Sequence, residues 1–264
     1  MKKKILYLLL FVSASCLSQN VALQPFGKNV SKKDSAKIEQ IFRYQAEFYG
    51  QFAPAVDSLL PKIIIFKNPE GLHNYLNFID KKPAWGHNTV GTFVSKRREL
   101  LVAHTENNDI LQKISWQISN YFIFLTLKNI HSGKDGEDWI QIGLNGYFKN
   151  ISLTKKGIKH NPPLANTKAR IKTAIETNEL NLKEFVGFTK KQLYKSQTTN
   201  NSYAYSLAYG IVYFLTQKDF NQFKKIVLQI KNGSSSYDAI NTTYQGGFSR
   251  FETDFIAYYS KWKH

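Results

Sequence analysis

Residues 139–148 read WIQIGLNGYF, and the fold of this chain depends on this stretch. Large apolar residues fill most of its positions, and its polar residues are isolated among them. Such a composition predicts a strongly apolar helix. An earlier helix, which we expect to begin after Asn107 or Asn108, becomes apolar all round at residues 122–127, as is typical of a central helix. We therefore expect two central helices.

Upstream of these helices, the sequence predicts a small sheet with flanking helices. Short apolar runs bounded by polar or proline residues indicate strands, and serine or asparagine before an apolar periodic segment indicates a helix start. Residues 90–94 and 99–104 are separated by a polar turn, which predicts a hairpin. The predicted strands are residues 63–66, 90–94 and 99–104, and the predicted helices begin at Ser31 and Asn68.

Downstream, residues 154–167 are expected to be a surface linker, and the pattern beyond them is helical. The fold class that follows is α+β, with a small sheet and central helices. We expect an α+β half at residues 31–154 and an all-helical half at residues 155–264, with one cleft shared by the two. The predicted helices of the second half are residues 165–177, 182–196, 200–217, 219–232 and 247–262.

The N-terminus predicts export. Three lysines at positions 2–4 precede a short apolar run, and small residues follow it, as in a secretory signal peptide. Cleavage after Ser18 would place the protein in the periplasm or outside the cell, with residues 1–18 removed and 19–30 left as a polar lead-in. The alternative is a lipoprotein anchored through Cys16, although a lipobox usually has a large aliphatic residue three positions before the cysteine. No later apolar stretch is long enough to span a bilayer.

Composition limits the chemistry. The chain carries 36 Lys and Arg against 19 Asp and Glu, a net charge of +17, but its lysines are dispersed and form no long basic run. This pattern argues against nucleic acid as a partner, and a polyanion binder is a further alternative. Cys16 is the only cysteine, so the mature chain has neither a disulfide nor a thiolate ligand.

Several segments together resemble one family. Gly91-Thr92-Phe93 with residues 100–102, the stretch 139–148, the helix with residues 203–215, and the closing residues 255–258 follow the order of motifs in the peptidase-MA-like gluzincins, a zincin-like family long described as a domain of unknown function. The resemblance covers about residues 61–262. It implies a zincin-like fold with a cleft between two halves.

Members of that family bind zinc through His-Glu-x-x-His and a glutamate on the next helix. Histidines at i and i+4 face one side of a helix and can hold one ion, and the glutamate between them is the general base. The resemblance places Trp116 and Asn120 at the histidine positions, Gln117 at the base and Ile142 at the third ligand. Tryptophan and isoleucine cannot bind zinc, and glutamine cannot accept the proton.

The resemblance therefore implies a pseudopeptidase without a cofactor, which binds a polypeptide or a cell-envelope component. Trp116 and Ile142 would fill the former metal site, while Gln117 and Asn120 would hydrogen-bond to each other or to a peptide. Two alternatives stay open: an active metallopeptidase or other hydrolase with an unrecognised site, and a structural envelope protein whose cleft is closed. Further residues expected to contact a ligand in the cleft are Trp139, Tyr147, Tyr203 and Tyr205.

Other candidate chemistry is weaker. The histidines at 73, 87, 104, 131 and 160 have no partner histidine at helical spacing, so we interpret them as solitary polar residues. Asp135, Glu137 and Asp138 precede the helix at 139–148, where acidic residues favour the positive end of the helix dipole. Their spacing does not match a calcium loop. Capping is therefore the simpler role for them.

Overall fold

The structure is a computed structural model, which describes residues 22–26, 30–53, 60–79, 89–106, 109–127, 138–189, 192–193 and 203–262. The predicted signal peptide, Cys16, and the acidic residues 135 and 137 lie outside these ranges. The chain divides into two compact units: the first takes residues 1–50 and 55–122, and the second takes 51–54 and 123–264. The boundary predicted near residue 155 stays a prediction.

The first unit contains a mixed four-stranded sheet in the order β1-β2-β4-β3. Strands β1, β2 and β4 are parallel neighbours, and β3 is antiparallel to β4. The central strands β2 and β4 are buried along almost their whole length because parallel strands are covered on both faces. The strands are β1 (Ala22–Phe26), β2 (Lys62–Phe66), β3 (Gly91–Val94) and β4 (Glu99–Ala103).

The first strand, β1, lies in the segment that the sequence predicted to be a polar lead-in. Its backbone pairs with β2 in parallel, from Ala22 opposite Lys62 to Phe26 opposite Phe66. The partner strand has an unbroken apolar run, Ile63 to Phe66, whose edge would otherwise carry unpaired backbone groups. The lead-in therefore contributes an edge strand to the sheet.

Three helices belong wholly or mainly to the first unit: α1 (Lys32–Gly50), α2 (Pro69–Ile79) and α3 (Ile110–Thr126). The caps predicted from sequence are confirmed, because the Ser31 hydroxyl accepts a hydrogen bond from the Asp34 amide at 3.0 Å, and the Asn68 side chain accepts one from the Gly71 amide at 2.9 Å. Helix α2 packs on one face of the sheet, where Leu72 and Leu76 are fully buried.

The second unit is mostly helical. Helix α4 begins at Asp138 and contains the stretch WIQIGLNGYF, which predicted a helix here. In the described part of this unit the helices are α4 (Asp138–Lys149), α5 (Ala165–Glu176), α6 (Leu182–Val186), α7 (Tyr203–Lys218), α8 (Phe220–Lys231), α9 (Ser236–Thr243) and α10 (Gly247–Ser260). The mixed α+β class is thus confirmed. None of the helices in the described residues combines the length and the apolarity needed to cross a membrane.

One part of the second unit differs from the sequence prediction. Residues 154–160 of the predicted surface linker belong to an antiparallel hairpin of β5 (Ile151–Thr154) and β6 (Gly157–His160). Gly157 has φ of +121°, a conformation that side chains with a Cβ rarely adopt, so it allows the tight turn after Lys156. Because β6 lies beyond residue 155, the C-terminal half is not entirely helical.

Helix α4 is at the centre of the second unit and lies close to α7. A Cβ on Gly143 would come within 2.5 Å of the Ala208 carbonyl oxygen, and one on Gly146 within 3.1 Å of the Tyr205 hydroxyl. The two glycines therefore let the two backbones approach more closely than larger residues would allow. In α7, nearly every residue from Ser206 to Thr216 is buried, as expected for a helix whose sequence is apolar on all sides.

Candidate functional site

The positions that the resemblance assigns to zinc chemistry in the first unit lie together on α3. Gln117 is buried, while Trp116 and Asn120 are partly exposed. The Asn120 amide donates a hydrogen bond of 3.0 Å to the Gln117 carbonyl oxygen, as expected for polar residues three apart on a helix. One hydrogen bond therefore joins two neutral amides at the positions to which the resemblance assigns a base and a ligand.

Strand β3 makes room for the Gln117 side chain. A Cβ on Gly91 would lie only 3.2 Å from Gln117 Nε2 and 3.3 Å from the Leu101 carbonyl oxygen. Any larger residue at position 91 would displace the amide or the neighbouring strand. Beside it, the Phe93 ring meets Tyr121 edge to face at 5.8 Å between centroids. The hairpin resembling the family motif is thus packed against the helix that carries the amide pair.

Two polar contacts fix the rotation of α3 against α1. Gln45 Nε2 donates to the carbonyl oxygen and to the hydroxyl of Ser115, both at 2.9 Å, and the hydroxyls of Tyr49 and Ser119 are 2.6 Å apart. Complete burial raises the pKa of the Tyr49 phenol well above its usual range, so it stays neutral. This pairing was not predicted from the sequence, although Gln45/Tyr49 and Ser115/Ser119 each have a spacing of four.

The beginning of α3 is tied to the end of β4. Lys113 is 8% exposed, and its ammonium group donates to the Thr105 hydroxyl at 2.5 Å and contacts the Asp109 carboxylate at 2.6 Å. The ion pair stabilises the charged form of the carboxylate, and the pKa of Asp109 is lowered although burial opposes this effect. A buried lysine that is fully bonded in this way holds the helix in position rather than acting as a base.

The third-ligand position belongs to the second unit. Ile142 is partly buried on α4. Three residues earlier, Trp139 has no exposed surface, and its indole nitrogen donates a hydrogen bond of 2.9 Å to the buried Ser236 hydroxyl. This burial makes Trp139 part of the interior of the second unit, not of an accessible surface.

The other predicted contact residues lie on α4 (Tyr147) and at the start of α7 (Tyr203 and Tyr205). The Tyr147 ring stacks on the His160 imidazole with centroids 3.5 Å apart, and the His160 ring nitrogen Nδ1 is 3.0 Å from the Tyr147 carbonyl oxygen. Burial lowers the pKa of His160 to about 4. Desolvation raises the pKa of both Tyr203 and Tyr205 to about 12, so neither phenol ionises near neutral pH.

A metal site of another kind is not formed by the residues that the structure describes. Within those ranges, no three His, Cys, Asp or Glu side chains come together closely enough to hold an ion. The acidic residues 135 and 137 lie outside the ranges, so their predicted capping role stays a prediction.

A cavity that the sequence analysis missed lies in the second unit, between the end of α7 and the end of α10. Its volume is about 790 Å³, and a second cavity of about 520 Å³ shares Lys218 and Asp254 with it. Lys218 and Tyr244 both donate to the Asp254 carboxylate, and Arg250 Nε lies 2.9 Å from its other oxygen. The main residues that line the larger cavity are Phe214, Lys218, Asp254, Tyr258, Lys261 and Trp262.

Comparisons with known proteins add no relative to this picture. No protein-family model matches the chain, and a search of curated proteins finds no match. Conclusions about function therefore depend on the side chains just described.

Proposed function

We propose that this chain is an exported, non-catalytic zincin-like module, a pseudopeptidase that binds a polypeptide or a cell-envelope component. The observation that carries the proposal is the amide pair on α3. Gln117 and Asn120 hydrogen-bond to each other at 3.0 Å, at positions where the resemblance calls for a base and a zinc ligand.

The chemistry of these residues supports the loss of hydrolysis. A general base must accept a proton from the attacking water, and a glutamine amide cannot do so. An asparagine amide is a poor ligand for zinc, and the indole of Trp116 is not a ligand at all. The partly exposed Asn120 amide is also suited to hydrogen-bond an extended peptide backbone, which presents one donor and one acceptor per residue.

The first test measures zinc in the mature protein, purified without a polyhistidine tag, exposed to zinc and then dialysed. We expect far less than one zinc per chain by elemental analysis. A stoichiometric and tightly held zinc would overturn the proposal and favour the alternative of an active metallopeptidase.

Binding of polypeptide is tested separately with an array of synthetic unstructured peptides of mixed sequence. We expect the wild-type protein to bind a subset of them, and Trp116→Ala to weaken that binding because an aromatic contact is lost. The control is Phe78→Ala, which removes an aromatic ring that is 83% exposed on α2. Failure of the wild type to bind any peptide, or equal losses in both variants, would favour a structural role.

A further inference from the structure

The larger cavity of the second unit has an aromatic wall. Phe214, Tyr258 and Trp262 form a continuous row, with neighbouring ring centroids 5.4 and 5.7 Å apart. Its volume, about 790 Å³, lies within the range of small-molecule sites, which enclose roughly 300–1,000 Å³. The row is anchored at its end because Lys168 lies over the Trp262 ring, 3.5 Å from the centroid. The wall is therefore preformed.

The charges on the rim of this cavity are unequal. Its lining contains two ammonium groups, Lys218 and Lys261, and one carboxylate, Asp254. That carboxylate is already engaged, because it accepts hydrogen bonds from Lys218 and Tyr244 and pairs with Arg250. By contrast, Lys261 has no acidic partner within the described residues. The rim therefore retains an uncompensated positive charge beside an apolar wall.

We propose that this cavity binds a small amphipathic anion, a carboxylate with an aromatic or aliphatic body. The body lies against Phe214, Tyr258 and Trp262, where its transfer from water is favourable. The carboxylate pairs with the Lys261 ammonium group. The site is independent of the α3 amide pair, so it goes beyond the proposed pseudopeptidase function.

Two other ligand classes fit less well. A cation would meet the ammonium groups of Lys218 and Lys261, and like charges at short range repel. A sugar usually stacks its ring on an open aromatic face, but one face of Trp262 is covered by Lys168. The distribution of charge thus favours an anion.

The experiment compares three probes that share one body: 3-phenylpropionate, 3-phenylpropan-1-ol and 3-phenylpropylamine. Affinity for the full-length mature protein is measured by ligand-observed NMR titration. We expect the carboxylate to bind more tightly than the alcohol and the amine to bind least. Raising the salt from about 10 mM to about 150 mM shortens the Debye length from about 30 Å to about 8 Å. This change should weaken binding of the carboxylate and leave that of the alcohol unchanged.

Two variants locate the binding. Lys261→Met keeps most of the side-chain length and removes the charge, so we expect about a two- to fivefold loss of affinity for the carboxylate, as for a partly exposed ion pair. Ala257→Trp places an indole in the cavity from an exposed position on α10 and should abolish binding of all three probes. The matched control is Lys225→Met, which removes an exposed lysine from α8.

The outcomes separate the proposal from its rivals. Loss of binding in Lys261→Met and Ala257→Trp, with wild-type affinity in Lys225→Met, would support it. Three results would overturn it: no binding of 3-phenylpropionate to the wild type, equal binding of the amine and the carboxylate, or an equal effect of the two lysine substitutions. None of these results depends on zinc or on peptide binding by α3.

Discussion

His160 couples the stability of the second unit to pH. Its imidazole, on β6 of the hairpin, stacks on the ring of Tyr147 of α4 and contacts the backbone carbonyl of the same residue. Burial penalises the charged ring, and this effect outweighs the backbone hydrogen bond, so the pKa falls from 6.5 to about 4. The folded protein thus holds the ring neutral at pH values at which the unfolded chain would protonate it.

The sign of the pH dependence follows from linkage. Between pH 6.5 and about 4 the unfolded chain binds the proton more readily, so the free energy of unfolding decreases as the pH falls through this window. The loss should reach up to about 3 kcal/mol. Urea unfolding at a series of pH values measures it, and His160→Gln should flatten this part of the profile. The control Lys159→Gln changes an exposed neighbour on the same strand, and an identical flattening there would contradict the prediction.

Single residues also show what the sequence could and could not predict about the candidate site. The hydrogen bond between Gln117 and Asn120 was predictable because both lie on one helix, three residues apart. The stacking of Tyr147 on His160 was not, because it depends on a hairpin that reverses the chain between them. Trp139 was expected to contact a ligand, but its hydrogen bond to Ser236, 97 residues later, places it in the interior.

At the scale of elements, the close approach of α4 to α7 depends on Gly143, which has no side chain. A methyl group on Gly143 would come within 2.5 Å of a backbone oxygen and of the Val212 side chain. The backbone of α7 cannot easily move away, because almost all of that helix is buried.

We therefore expect Gly143→Ala to lower the free energy of unfolding by about 1–3 kcal/mol through overpacking. The matched control is Gly50→Ala at the end of α1, where a Cβ would have no neighbour within 4 Å. That substitution should be neutral or stabilise by up to about 1 kcal/mol, since alanine restricts the unfolded chain. Chemical denaturation compares the two, and a neutral Gly143→Ala would show that the helices can separate at little cost.

Prediction of the elements succeeded where periodicity was strong. Strands β2, β3 and β4, and helices α5, α7, α8 and α10, lie close to their predicted positions because long apolar patterns define them. Helix α9 was missed, although Ser235 and Asp238 form a serine-aspartate cap, with the Asp238 amide donating to the Ser235 hydroxyl at 3.1 Å. The hairpin of β5 and β6 was missed because Lys155, Lys156 and Gly157 in its turn led to the prediction of a surface linker.

At the scale of the whole molecule, the net charge of +17 affects stability. Like charges repel in the compact state, and salt screens this repulsion. We expect sodium chloride to raise the melting temperature of the protein, by about 2–4 °C for each kcal/mol of repulsion removed. A double variant, Lys155→Glu with Lys156→Glu, changes two exposed residues in the β5–β6 turn and lowers the charge from +17 to +13. Its melting temperature should respond less to salt. A melting temperature that falls with added salt would contradict the prediction.

The cavity in the second unit could not be predicted at this scale. Its walls come from residues that are more than one helix apart in the chain, with Phe214 on α7 and Tyr258 on α10. In the sequence, each residue is simply part of an amphipathic or apolar helix. Only the packing of these helices brings their aromatic side chains into one row. Trp262, beyond the end of α10, also contacts that helix through Tyr258 and Tyr259.

The hydrogen bond from Trp139 to Ser236 has a consequence for biosynthesis. The two residues are 97 positions apart, and a ribosome adds about 5–20 residues per second. About 5–20 s therefore pass between the synthesis of the apolar helix at 139–148 and the synthesis of Ser236. During that interval its indole and its leucine and phenylalanine side chains are available to chaperones or to other nascent chains. The same stretch that determines the finished fold can thus aggregate during this interval of synthesis.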